Sequence, residues 1–260
     1  MDNKDAAEHF VKYLKLSTPP VALKMCTSKN ELSQEALIPS KEWGVDLRVC
    51  QATQVAREYE VTVAVPKYEM PCPTGAVALG FYEPNELYWS GSCLSPSFMS
   101  QEAKKAIARN TPKLDAGTYE YMIVAPMDKA SFEPDLVLFY GNPGQITKLI
   151  QARVLNSGNP LTASTMCGTA CSEWLSKAMI TRECQYVFPC DGERKYGTLE
   201  NSEMIFSLPY EKMEEVLEGL EAACNAKERR YPAQKFLIHQ GPNSERYETL
   251  LKSLRKNAGL

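Results

Sequence analysis

The side chains best suited to chemistry in this sequence are its nine cysteines: Cys26, Cys50, Cys72, Cys93, Cys167, Cys171, Cys184, Cys190 and Cys224. A thiolate is a soft donor that holds iron–sulfur clusters, zinc or haem iron. Only two histidines, His9 and His239, accompany them, which leaves little for imidazole-based chemistry. An odd cysteine count argues against a disulfide scaffold and points to ligation, redox chemistry or burial. The one close pair is Cys167-Gly168-Thr169-Ala170-Cys171, a C-x3-C spacing. Structural zinc usually pairs two such knuckles, and ferredoxins carry a tighter run. Neither pattern occurs, so a bound cluster would have to be assembled from distant loops.

Those loops are rich in proline and glycine. Cys72 lies between Pro71 and Pro73 and leads into Thr74-Gly75; Cys93 lies in Gly91-Ser92-Cys93-Leu94-Ser95-Pro96; Cys190 follows Pro189 and precedes Asp191-Gly192. Such backbone is held in shape and exposes amide N–H groups to cluster sulfides or an anion. Gly75 and Gly192 are therefore candidate cofactor contacts, and Arg194 a candidate bidentate clamp on an anion. The charged residues 191–195 otherwise read as a solvated turn. Cys171 is expected at a helix N-terminus, where the dipole lowers a thiol pKa. The candidate ligand set is Cys72, Cys190, Cys171, Cys50, Cys167 and Cys93. Cys26, Cys184 and Cys224 read as packed side chains, and His9 and His239 as surface or packing residues. Walker, G-x-G-x-x-G, H-E-x-x-H and G-x-S-x-G motifs are all missing, which removes the usual support for nucleotide hydrolysis, Rossmann dehydrogenation and serine hydrolysis.

The elements that must position these residues alternate along the chain. Apolar spacing predicts helices over residues 5–16, 49–57, 74–79, 100–110, 172–180, 210–223 and 245–254, and another from residue 143. β-branched and apolar runs predict strands over 21–25, 61–65, 119–125, 136–140, 186–188 and 204–208. The fold class is accordingly α/β or α+β, with one mixed sheet and flanking helices. One domain over residues 1–260 is expected, with an internal echo: Cys50, helix, Arg57-Glu58, strand, Pro71-Cys72, then Cys171, helix, Arg182-Glu183, strand, Pro189-Cys190. The Cys-to-Cys spacings are 22 and 19. Duplication would give pseudo-repeated halves at about 18–140 and 141–225 and bring four thiols toward one interface.

Composition narrows the partners. With 29 Lys+Arg against 32 Asp+Glu, the net charge of -3 gives no electrostatic pull toward nucleic acid or anionic membrane. No apolar run approaches the ~20 residues that span a bilayer. The charged start, Met1 to Phe10, lacks the apolar stretch of a signal peptide, so a cytoplasmic location is expected. A homodimer is expected on base rate alone.

Several segments together resemble the domain-of-unknown-function 169 family. They are Pro20-Val21-Ala22-Leu23-Lys24, Cys50-Gln51-Ala52 with Ala56-Arg57, and Cys72 with Gly75-Ala76 and Leu79-Gly80. Further along come Ala125-Pro126-Met127, Pro134-Asp135-Leu136-Val137 and Pro189-Cys190-Asp191-Gly192-Glu193-Arg194. The resemblance runs from about residue 18 to 220 and implies no particular mechanism. It places Cys50, Cys72 and Cys190 in recurrent segments, whereas the Cys167/Cys171 pair departs from the pattern. The expected function is a metalloprotein whose iron–sulfur cluster serves electron transfer, with a redox partner protein, or reductive chemistry on a small-molecule substrate. A thiolate-held haem, metal-free thiol chemistry at Cys171 or Cys190, and a non-catalytic binding protein with packed cysteines are the alternatives.

Overall fold

In the computed structural model, residues 1–92, 100–166, 168–225, 231–233, 235 and 244–258 are described. The first helix, α1 (Asn3–Leu14), is capped by the Asp2 side chain, which accepts from Asp5 N at 2.8 Å, and stops before Pro19-Pro20. There follow β1 (Val21–Cys26), α2 (Pro39–Glu42), α3 (Val49–Tyr59), β2 (Val63–Pro66), α4 (Pro73–Ala78), α5 (Glu86–Trp89), α6 (Gln101–Asn110) and β3 (Tyr121–Pro126). The second part holds β4 (Leu136–Gly141), α7 (Pro143–Ser157), a π-helix (Ser172–Lys177), α8 (Ala178–Thr181), β5 (Gln185–Val187), α9 (Asp191–Tyr196), β6 (Met204–Pro209), α10 (Met213–Asn225) and α11 (Glu245–Asn257).

The six strands form one sheet in the order β2-β3-β1-β4-β6-β5. Among the described residues every ladder is antiparallel, and the one parallel contact is a bridge from Leu37 to Val63. The fold is therefore α+β, and the sheet is antiparallel rather than mixed.

That order contains two matching triplets. In each, the first strand lies innermost, the second outermost, and the third between them. Their registers agree as well. Val21 pairs with Pro126 and Leu136 with Pro209, so the third strand of each triplet ends on proline opposite the start of the first. Each proline then opens a three-residue 3-10 turn, Met127–Lys129 or Tyr210–Lys212. Where the triplets meet, Ala22 faces Val137, flanked by Val21 opposite Leu138 and Leu23 opposite Leu136. This register is symmetric about the Ala22/Val137 pair, so a pseudo-two-fold axis passes through the sheet there. The topology puts β4 with the second triplet, so a division at 140/141 would detach that strand from its partners; the units meet between Pro126 and Leu136.

Because side chains alternate across a strand, the sheet buries both faces. On one, Val21, Leu23, Val63, Val124, Leu138 and Ile205 pack beneath α3, α4 and the π-helix. On the other, Ala22, Val137, Phe139 and Phe206 meet α1, α7 and α10. The largest local departure from the sequence expectation is at residues 191–195. They form a helix, α9, with Glu193 buried beneath it, and not a solvated turn. The expected helix over 172–180 is π-helical through Lys177 before it becomes α.

Candidate functional site

Four cysteines sit where helices begin. Cys50 is the second residue of α3, Cys72 precedes Pro73 at the start of α4, Cys171 precedes the π-helix, and Cys190 precedes α9. All four line one cavity of about 170 Å³. The pseudo-two-fold relates them in pairs: Cys50 with Cys171, at the start of the helical segment that leads into the outermost strand of each unit, and Cys72 with Cys190, at the start of the α-helix that follows that strand. The packing is reciprocal too, because α3 of one unit touches α9 of the other, while α4 touches the π-helix. Each unit thus contributes two thiols to a cavity between the units.

Close backbone approach keeps the cavity small. A Cβ on Gly197 would come within 2.7 Å of the Glu193 carbonyl and 3.1 Å of Cys50 Cβ, so only glycine lets the end of α9 rest on α3. At Gly75 a Cβ would sit 3.3 Å from Cys72 Sγ, and at Gly192 one would sit 3.6 Å from Cys190 Sγ. Cys50 Sγ lies 3.9 Å from the Gly192 carbonyl, and Cys72 Sγ lies 3.5 Å from Thr74 Oγ1. At the rim the Arg48 guanidinium stacks 4.1 Å above the Tyr196 ring and donates to the Pro71 carbonyl at 3.3 Å. Thr169, between the Cys167 position and Cys171, has φ of 58°, an unusual state for a β-branched residue.

Burial dominates the electrostatics. It pushes the Cys50 thiol up to about 12, reinforced by Glu193, Cys72 and Cys190. It also holds Cys171 well above the ordinary thiol range, with the same three groups and Cys50 adding to the effect. This reverses the expectation of a lowered pKa at Cys171, because desolvation of a buried thiolate outweighs the helix dipole. The inner thiols are therefore protonated at neutral pH unless something displaces their protons. Glu193 is the site residue that sequence reasoning missed. Its carboxylate accepts from Trp174 Nε1 at 2.5 Å and from Cys190 N at 3.1 Å, yet burial still raises its pKa to about 7. The available signal was its place three residues after a helix-opening residue, the capping-box position.

The other candidates scatter. Arg194 does not line the cavity; it turns outward and donates to the Glu200 carbonyl at 2.5 Å. Cys93, Cys167 and His239 lie outside the described residues. Cys26 is buried in β1, Cys184 in the opposite-face core, and Cys224 packs beside that core. His9 Nδ1 is 3.1 Å from the Glu221 carboxylate, away from the cavity. Among the described residues, no group of three or more His, Cys, Asp or Glu is placed to hold a metal ion.

The fold and the cavity define an α+β protein made of two matched three-stranded units with a thiol-lined cleft between them. The chain belongs to the DUF169 family, described as "Uncharacterised ArCR", whose profile matches residues 9–219. A relative, "Uncharacterized protein MJ0308" of Methanocaldococcus jannaschii, is 26% identical over 224 residues, covering 84% of this chain and 93% of that protein. No solved structure matches the chain. Among the described residues, no helix is long and apolar enough to cross a membrane.

Proposed function

We propose that this protein holds an iron–sulfur cluster in the cleft between its two units, through Cys50, Cys72, Cys171 and Cys190, and uses it for electron transfer or for reduction of a small molecule. The observation that carries this reading is the convergence of four thiols, two from each unit, on one small cavity. Four thiolates are the ordinary ligand complement of a cluster, whose irons are spread over a volume. Bound to four thiolates, a cluster is an anion, and here each thiol stands at the electropositive end of a helix. The cavity's ~170 Å³ falls below the roughly 300–1,000 Å³ of sites that enclose an organic ligand, which favours a compact inorganic group over haem.

When bound, the group supplies a one-electron couple at the floor of the cleft. The chain's own residues do the rest. Cys50 and Cys171 give up protons on ligation, so loading is favoured as pH rises. Trp174 and the Cys190 amide hold the Glu193 carboxyl against the inner wall. Arg48, fixed by Tyr196 and Pro71, keeps a positive charge at the rim. A reducing compartment such as the cytoplasm would keep the four thiols available.

The test is iron content after anaerobic purification of Cys72→Ser and Cys190→Ser, whose side chains are only half-buried and whose replacement leaves the core intact. Both variants lose iron relative to the parent chain. Unchanged iron in both contradicts the reading. Rapid alkylation of Cys190 in a metal-free parent chain would favour metal-free thiol chemistry instead.

A further inference from the structure

We propose that α11 pairs with the α11 of a second copy of this chain, antiparallel across a two-fold axis, and so makes the protein a dimer. The pairing is independent of what the thiol cavity holds. α11 (Glu245–Asn257) stands apart from the fold: every one of its residues is exposed, and the core on neither face of the sheet includes any of them. The family profile ends at residue 219, so the matched part of the chain does not include this helix. Yet α11 is not polar all round. Tyr247, Leu250, Leu251 and Leu254 are between 41% and 68% exposed, and helical spacing sets all four on one side as an apolar stripe. With 13 residues, α11 falls in the range of about 12–15 where an isolated helix is marginal in water, so its stability requires a surface that buries the stripe.

The helix is complementary to its own reverse. From Tyr247 the stripe advances by three residues to Leu250, one to Leu251 and three to Leu254, a spacing that reads the same in either direction. A two-fold axis passing between Leu250 and Leu251 therefore sets Leu250 against the partner's Leu251, and Tyr247 against the partner's Leu254. Such an isologous contact closes at two copies. Charge agrees with this direction. Glu245 and Glu248 lie in the first turn of α11, and Arg255 and Lys256 in the last. Antiparallel pairing puts each acidic end beside a basic one and opposes the two helix dipoles. Parallel pairing would set like charges side by side. Glu248, Lys252 and Arg255 flank the stripe on the same side, and antiparallel helices bring matching flanks together, so Glu248 meets the partner's Lys252 and Arg255 at both ends of the contact. Among the described residues, these three side chains form no ion pair within their own chain.

The experiment is sedimentation equilibrium of the full chain over roughly 1–200 μM, a range that spans weak to moderate association. The expected result is a reversible equilibrium between the chain and a species of twice its mass. Leu250→Glu and Leu251→Glu each place carboxylates against an apolar partner at the axis and weaken the dimer by about tenfold or more. Glu248→Lys weakens it by about fivefold, because cations then face cations in both halves of the contact. Combining Glu248→Lys with Lys252→Glu and Arg255→Glu in one chain reverses every pair and restores the parent's association. All these positions are exposed, so each variant keeps the parent's melting midpoint when dilute. A parent chain that stays monomeric throughout overturns the proposal; α11 then packs on its own chain or on a different protein. A dimer that persists in both leucine variants overturns it too, since its interface lies elsewhere. Failure of the combined charge reversal to restore association overturns the antiparallel pairing.

Discussion

The two units of this sheet share their strand order, their register, the proline that ends the third strand, and the placement of two thiols at helix starts. They differ in almost everything around those thiols. Where the second unit has Glu193 three residues beyond Cys190, the first has Gly75 three residues beyond Cys72. Where the first pairs Val63 with Val124, the second pairs Gln185 with Ser207, and Gln185 Oε1 and Ser207 Oγ are buried with no hydrogen-bond partner among the described residues. The first unit carries the α5–α6 expansion, and the second carries α7. What the units have in common delivers sulfur to the cleft; what distinguishes them makes its two sides unlike.

The largest expected effect tests the common part. Cys50→Ser and Cys171→Ser occupy equivalent positions in the two units, and each abolishes iron retention to a similar degree, while Cys224→Ser keeps the parent's iron content. A centre confined to one unit would survive one of the first two substitutions, which metal analysis after anaerobic purification detects.

Glu193 sharpens the comparison next. Its folded pKa near 7 lies above the ordinary carboxyl value of 4.5. Its burial therefore costs nothing extra while both states are protonated, and stability falls as pH rises from about 4.5 to about 7. The nominal size is about 3 kcal/mol. Denaturant melts of the metal-free chain across that range show this slope in the parent, and Glu193→Gln flattens it. If the slope persisted in the Glu193→Gln variant, the titration would belong to another group.

Gly197→Ala comes third. The added methyl meets the Glu193 carbonyl and Cys50, pushing α9 off α3 at a cost of about 2 kcal/mol. Gly168→Ala, with nothing within 4 Å of the new Cβ, leaves the melting midpoint nearly unchanged. Equal effects at the two sites would remove the claim of close packing across the units.

The smallest effect concerns the polar pair under the second unit. Ser207→Ala relieves a buried hydroxyl without a partner among the described residues and stabilises the chain by about 1 kcal/mol. Destabilisation of that size would show that the hydroxyl is satisfied after all.

Much of this was legible in the sequence. The strands over 21–25 and 204–208 show as apolar runs broken only by Lys24 and Ser207, since a strand buried on both faces has little alternation. The echo linking Cys50 and Cys72 to Cys171 and Cys190 names the four cysteines that, among the described residues, line the cavity. Its Arg-Glu element misaligns the units, however. Arg57 is buried in α3 and donates to Thr18 Oγ1 at 2.6 Å, whereas Arg182 is the exposed left-handed residue that ends α8. The left-handed residue ending α3 is Glu60, so helix endings match where residue types do not. Glu193 and α9 were obscured because a run of charged residues looks like a solvated turn. Tertiary packing against Trp174 decides otherwise. The antiparallel register and the position of the pseudo-axis follow from long-range pairing that a single sequence does not display.

The central claim is that thiols from both units jointly hold one cluster. It is tested most directly by counting iron and acid-labile sulfide per chain in protein purified without oxygen, alongside its visible absorption spectrum. The account predicts iron and sulfide in equal amounts with broad visible absorption. A colourless chain that takes up neither, even after incubation with iron and sulfide under reducing conditions, would contradict it.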